Sequence, residues 1–286
     1  MNHLFLAAKR IGRWLVLTAA VVPVAAQQVA DTTFRPPIEK PAYPAGKGPV
    51  VLIDESHNNF HTLTGRYLPF AELLRRDGYV VKASAVRFTA EALQVGRVLV
   101  IANATEAFAA EEITAVRKWV AGGGSLLLIA DHPPFEAPAA DLGKAFGVRF
   151  REGVAWPEAD NSGRIVFRRP DGTLTDHPIT KDIDEVATFT GTSFQLDAPG
   201  HPLLVFGPGV YSVKEKNDPN PIPVKGQLQG AALPYGKGRV AVFGEAAMFS
   251  AQITGPDRRP MGMNAPIARQ NAQFLLNVMH WLTGVM

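Results

Sequence analysis

Residues 110–130 read AEEITAVRKWVAGGGSLLLIA, and the order of residue types in that stretch predicts the fold. Ile113, Val116 and Val120 recur at helical spacing and form one apolar face. Glu111 and Glu112 stand in the first turn and Arg117 and Lys118 near the last, which suits the helix dipole. Gly122, Gly123 and Gly124 end the helix. Ser125 to Ala130 then follows as an unbroken apolar run, the pattern of a strand buried on both faces. A helix that feeds through glycines into a buried strand is one half of a parallel β-α-β repeat.

The same alternation extends in both directions. Val50 to Ile53 and Val98 to Ile101 are further buried strands, and Tyr79 to Val81 is a shorter one. Between them Tyr67 to Arg76 is helical, with Phe70, Leu73 and Leu74 on one face and Gly78 beyond its end. Thr89 can cap a short helix that runs to Leu93. Downstream, Arg239 to Phe243 is again a buried strand, and Ala265 to Thr283 a long closing helix. This predicts an α/β fold in which 50–53, 98–101, 125–130 and 239–243 share one mostly parallel, doubly wound sheet of flavodoxin-like or amidotransferase-like type. Residues 148–235 break the pattern: they are rich in Thr, Pro and turns such as Pro170-Asp171-Gly172. They are expected to be a β-rich insertion within a single domain spanning 49–286.

The N-terminus predicts export. Lys9, Arg10 and Arg13 precede the apolar stretch from Trp14 to Ala26, and Val24-Ala25-Ala26 supplies small residues for cleavage. That stretch is shorter than the roughly 20 residues a spanning helix needs. Residues 1–26 therefore read as a signal peptide and the mature chain as periplasmic or secreted, with no stable membrane insertion after cleavage. Residues 27–48, with Pro36, Pro37, Pro41 and Pro44, read as an extended linker. The first 26 residues hold three of the 29 Lys+Arg and none of the 26 Asp+Glu, so the charges beyond them balance. Bulk charge thus gives no support to a nucleic-acid partner. The chain has no cysteine, which excludes disulfides, thiolate ligands and a thiol nucleophile.

Several of these segments, taken in order, resemble the glutamine-amidotransferase-like superfamily, in its ThuA-like and DUF4350-like branches. They are the helix–glycine–strand unit at 110–130, His177-Pro178-Ile179-Thr180, Gly236 to Val240 running into Phe243-Gly244-Glu245, and the Asn271 to Leu282 helix. The resemblance covers roughly residues 49–283. Amidotransferases of this shape place a nucleophilic cysteine after the strand that matches 125–130. Asp131-His132 stands there instead, so the resemblance implies a retained site with different chemistry, and ThuA-like proteins tend to have a histidine at that point.

In an open parallel sheet, ligands bind beyond the carboxyl ends of the strands. Three such ends are polar here: Asp54-Glu55-Ser56-His57-Asn58-Asn59-Phe60-His61, then Asp131-His132-Pro133-Pro134, then Gly244-Glu245. His57, Asp131, His132 and Glu245 are the candidate catalytic residues, and Asp54, Glu55, Asn58, Asn59 and His61 the candidate ligand-binding ones. His57 and His61 are four apart and, with Asp131, His132 or Glu245, could bind a divalent metal. Without metal, a histidine–carboxylate pair could act as general acid and base. Equally, Asp54 could cap a turn, Asn58 and Asn59 tie down loop backbone, and the histidines be solvated. Ser56 and Ser193 lack the Gly-x-Ser-x-Gly elbow of a serine hydrolase. Two function classes fit this pattern. One is a hydrolase acting on a small polar or carbohydrate-like substrate; the other is a non-catalytic ligand- or glycan-binding module.

Overall fold

The structure is a computed structural model that describes residues 28–159, 162–215 and 217–286; the expected signal peptide lies outside the described residues. Its main sheet has nine strands. In chain order these are β1 (Val50–Asp54), β2 (Val80–Ser84), β3 (Val98–Ala102), β4 (Ser125–Ile129), β5 (Val148–Phe150), β6 (Phe194–Leu196), β7 (His201–Val205), β8 (Leu228–Tyr235) and β9 (Gly238–Phe243). The spatial order is β2-β1-β3-β4-β9-β8-β6-β5, with β7 also pairing with β8. The first five strands of that order run parallel, and every pairing from β9 onward is antiparallel.

Five α-helices accompany the sheet: α1 (Leu68–Arg76), α2 (Ala90–Gln94), α3 (Ala110–Ala121), α4 (Glu136–Ala145) and α5 (Asn271–Thr283). Alternation along the strands decides which face each residue serves. Val51, Ile53, Val100 and Leu127 point to the side covered by Phe70 and Leu74 of α1 and Phe274 and Val278 of α5. Leu52, Leu99, Leu126 and Leu128 point to the side covered by Leu93, Val116, Val120 and Leu142 of α2, α3 and α4. Burial of each such side chain stabilises the fold by roughly 1.5–3 kcal/mol.

The expected fold class needs correction. The four strands named from sequence do lie in this sheet, but the sheet is mixed, and the chain is not a doubly wound, mostly parallel fold. Three further antiparallel sheets surround it, at 29–30/251–254/259–262, 154–157/210–213/222–223 and 165–168/185–188. Four strands of the stretch expected as an insertion, β5 to β8, belong to the main sheet. The physical reason is a hairpin. Tyr235 pairs with Gly238 across a two-residue loop, Gly236-Lys237, so 228–235 folds back along β9. Gly236 has φ 58°, and a Cβ there would stand 2.7 Å from the backbone of Ala121, so a side chain is excluded on both counts. A boundary drawn at 235 cuts this hairpin in half.

Two smaller differences matter for the site. The closing helix begins at Asn271; residues 265–270 are mostly turn. The Pro-rich arm is docked on the body. Val29–Ala30 adds an edge strand against Ile253 and Gln252, and Tyr43 meets Tyr79 edge-on at 5.1 Å. Asp77 fixes the arm further. It accepts from Ala42 N–H at 2.8 Å, and its other oxygen lies 2.6 Å from His280 Nε2.

Candidate functional site

The parallel register sets up the carboxyl edge. Ala102 pairs with Ile129 and Ile129 with Phe243, so Asn103, Asp131 and Glu245 emerge one or two residues later in a row. Asp131 is anchored from three directions. Its N–H donates to Asn103 Oδ1 at 3.0 Å, its Oδ1 accepts from His132 N–H at 2.8 Å, and its Oδ2 accepts from Ala246 N–H at 3.2 Å. Glu245 is fully buried and accepts from Ala247 N–H at 2.8 Å and Met248 N–H at 2.7 Å. Burial pushes both carboxyls above their usual values; each raises the cost of the other's ionisation, and for Glu245 the charge of Asp131 is the next cause. The Tyr67 hydroxyl, whose own value burial also raises, donates to Ala246 O at 3.1 Å and closes the inner side.

His57 does not join this row. Its Nδ1 lies 2.9 Å from Asp54 Oδ2 and its Nε2 3.1 Å from Glu112 Oε1, and the ring sits between Phe88 and Phe108 at centroid distances of 4.8 and 4.3 Å. Asp54 and His57 are fully enclosed. Asp54 also accepts from the N–H and hydroxyl of Ser56. Glu112, at the start of α3, accepts from Phe88 N–H and Ala109 N–H as well. The cluster is a buried clamp between the β1 loop and α3, with Arg87 3.8 Å from Glu112 at its outer side. Glu55 likewise serves the loop, accepting from Leu63 N–H at 2.7 Å. Asn58 holds a left-handed turn at φ 49°, and Asn59 Oδ1 accepts from His57 N–H while its Nδ2 is buried without a partner.

The open space lies on the other side of the loop. A cleft of about 390 Å3 runs between Phe60, Phe135 and the strand at 251–254, with Asn103, Asp131 and His132 on its wall. His61, 4 % exposed, faces it with neither ring nitrogen hydrogen-bonded. Burial, with Arg66 nearby, pushes its imidazole down to about 3, so it is neutral at physiological pH. Gln252 donates to Ser250 Oγ at 2.5 Å but leaves Oε1 buried and unpaired, and Arg66 Nη1 is unpaired too. Buried polar groups without partners cost roughly 1–3 kcal/mol each, so three on one wall imply a polar occupant, water or ligand. A larger surface cleft, about 540 Å3, lies beside Trp156 and Tyr211. It is away from the strand ends, and its carboxylates Glu158 and Glu215 are exposed. The chemistry therefore favours the smaller cleft.

Of the residues singled out from sequence, the structure brings His61, Asp131 and His132 to the cleft, with Glu245 directly behind Asp131. Asp54, Glu55, His57, Asn58 and Asn59 do not line it. Thr190, whose Thr190-Gly191-Thr192-Ser193 segment reads from sequence as a polar-ligand contact or a turn, also lines the cleft; Arg66, Asn103, Gln252 and Gln28 carry no such reading. Of these four only Asn103 carried a signal, since it follows a buried strand as Asp131 does. Among the described residues no three His, Asp or Glu side chains are grouped as a metal ion needs. Ser193 donates to Gln227 Oε1 at 2.8 Å; the Ser56 hydroxyl donates to Asp54 and also lies 3.1 Å from His57 Nδ1, but this serine does not line the cleft. No described helix is long and apolar enough to cross a membrane.

Residues 67–252, well over half of the chain, match the family described as "Domain of unknown function (DUF4350)". The chain belongs to that family. No curated protein matches it. Among solved structures it is similar to the mmIFT52 N-terminal domain, at TM-score 0.63 and 16 % identity over 82 % of this chain and 97 % of that one. It is also similar to the cytoplasmic protein STM1381 from Salmonella typhimurium LT2, at TM-score 0.53 and 17 % identity over 82 % and 98 %. A ThuA-like protein from Bacteroides uniformis follows at TM-score 0.50 and 14 % identity over 87 % and 94 %. At these identities the likeness is one of fold alone. The family match bears out the DUF4350-like part of the resemblance, a ThuA-like protein shares the fold, and neither bears on amidotransferase ancestry.

Proposed function

We propose that this DUF4350-family chain is an extracytoplasmic protein that binds a small polar, carbohydrate-like ligand in the cleft beside Phe60 and Phe135. The observation that carries this reading is the unpaired, buried His61 imidazole facing the cleft, with Gln252 Oε1 and Arg66 Nη1 beside it. Neutral imidazole offers one donor and one acceptor, the amide oxygen a further acceptor and the guanidinium donors, a mixture that suits hydroxyl groups. The rings of Phe60 and Phe135, 5.2 Å apart, give an apolar wall for the C–H faces of such a ligand. Export rests on the pattern of residues 1–26.

The test is a thermal-shift panel of neutral and acidic monosaccharides on protein recovered after export. A ligand at a hundred times its Kd stabilises by about 2.7 kcal/mol. At least one sugar should raise Tm, and His61→Phe and Gln252→Ala should each abolish the shift. Equal shifts in wild type and both variants would overturn the reading.

A hydrolytic role is the second reading, and one observation favours it: Asp131 carries a raised carboxyl beside His132 at the cleft wall. A carboxyl whose pKa burial raises is the kind of group that gives and takes protons in catalysis. Turnover that Asp131→Asn stops, with sugar binding retained, would establish it.

A further inference from the structure

Arg66 is a cation without an anion. Its guanidinium carbon lies over the Phe60 ring, 3.7 Å from the centroid. Its one hydrogen bond is long, from Nε to Gln28 O at 3.4 Å, and Nη1 is buried with no partner. No carboxylate lies within ion-pair distance of it among the described residues, whereas Arg75, Arg149 and Arg168 each face one at 2.6–3.3 Å. Desolvation works against its charge with nothing to offset it. A half-buried, uncompensated guanidinium pinned by an aromatic face at the wall of an open cleft is arranged for an anion that arrives from outside.

The rest of the cleft restricts that anion. His61 is neutral and adds no positive charge. His132 lies 3.7 Å from Asp131, so any charge it carries already faces a carboxyl. One fixed cation matches a single negative charge, and a flat guanidinium fork matches a planar carboxylate better than a tetrahedral dianion. Beyond the guanidinium stand Gln252 Oε1 and the His61 nitrogens, which suit hydroxyls. From this geometry we infer that the cleft selects a sugar acid, a uronate or aldonate, whose carboxylate is gripped by Arg66 and whose hydroxyls meet His61 and Gln252. The inference rests on the reading of the cleft as the ligand site.

Isothermal titration of the exported protein with D-glucuronate, D-glucose and glucose 6-phosphate tests it. Glucuronate should bind at least about tenfold more tightly than glucose, as one charge-assisted bidentate contact warrants. Glucose 6-phosphate should bind more weakly than glucuronate. Arg66→Gln should bring glucuronate to the affinity that the same variant has for glucose. Arg66→Lys, which keeps the charge but not the fork, should retain part of the preference, and it reads the same effect if Arg66→Gln folds poorly. Equal affinity for glucuronate and glucose in the wild type would overturn the inference and leave the sugar-binding cleft standing. A preference for glucose 6-phosphate, or an acid preference that survives Arg66→Gln, would also overturn it. Binding of none of the three would overturn the inference and the cleft reading together.

Discussion

Replacing His57 with Ala should remove much of the protein's margin of stability, although the sequence marks it as a candidate catalytic residue or a solvated loop histidine. The imidazole bridges two carboxylates inside the core, 2.9 Å from Asp54 and 3.1 Å from Glu112. Asp54 is fully enclosed and the Glu112 side chain is 8 % exposed. Burial works against the charge on Glu112, yet its bonds from Ala109 N–H, Phe88 N–H and His57 leave it below the usual carboxylate value. Removing the ring takes one buried partner from each carboxylate, leaving Asp54 to Ser56 and Glu112 to Phe88 N–H, Ala109 N–H and the more distant Arg87, and opens a void between Phe88 and Phe108. Breaking a buried pair in this way costs about 3–5 kcal/mol, against a total of roughly 5–15 for a domain. Urea unfolding followed by tryptophan fluorescence should show the midpoint falling with m unchanged. A double-mutant cycle with Glu112→Ala should give a coupling of roughly 1–3 kcal/mol. A loss for His57→Ala below about 1 kcal/mol, the range of surface substitutions, would refute the clamp.

Asp131 and Glu245 should make stability fall as pH rises. A carboxyl raised in the folded state binds more protons there than in the unfolded chain, so stability drops from the ordinary values of 3.8 and 4.5 up through the raised ones. Asp131→Asn should therefore flatten that part of the Tm-against-pH profile, and an unchanged slope would count against the shared burial. Tyr67→Phe should lose about 1–2 kcal/mol in urea, because the buried Ala246 carbonyl loses its donor at 3.1 Å; a neutral result would mean that another donor replaces it. Asn271→Ala should cost at least about 3 kcal/mol. Its amide ties α5 to Ala187 N–H at 3.1 Å, Ala187 O at 2.7 Å and Met248 O at 3.1 Å, all buried, so a loss under 1 kcal/mol would contradict those bonds.

What could be read from sequence was what local periodicity encodes. α3 spans the predicted residues 110–121, and the strands at 50–54, 98–102, 125–129 and 238–243 match apolar runs. Thr89 caps α2 as its position suggests, accepting from Ala92 N–H at 3.2 Å. The antiparallel half was hidden because β5 and β6 are three residues each, too short for a period-two pattern to emerge. Their pairing is a tertiary fact, set when the 236–237 turn folds β8 back on β9. The role of Glu112 was hidden for a related reason. Its place in a first turn explains it fully as a dipole partner, and nothing local shows a histidine 55 positions away bonded to its carboxylate.

The site shows the same division more sharply. The rule that strand ends hold ligands found Asp131 and, behind it, Glu245, because register carries it: Ile129 pairs with Phe243, so the residues two beyond each meet. It also applied to Asn103 after β3 and was sufficient to find it. It could not find Gln252 or Arg66, which reach the cleft from a strand of a separate small sheet and from a loop, with no strand end of the main sheet to mark them. Nor could it sort the two histidines of the first loop. His57 and His61 differ by four positions and by no feature of composition, yet one is clamped between carboxylates and the other stands unpaired at the cleft wall. What separates them is the path of the loop. Asn58 takes a left-handed conformation between them, and the Phe60 N–H then bonds to Asn103 O at 2.9 Å. That bond ties the second half of the loop to the strand ends, so His61 and Arg66 share a wall with Asp131 while His57 stays behind in the core.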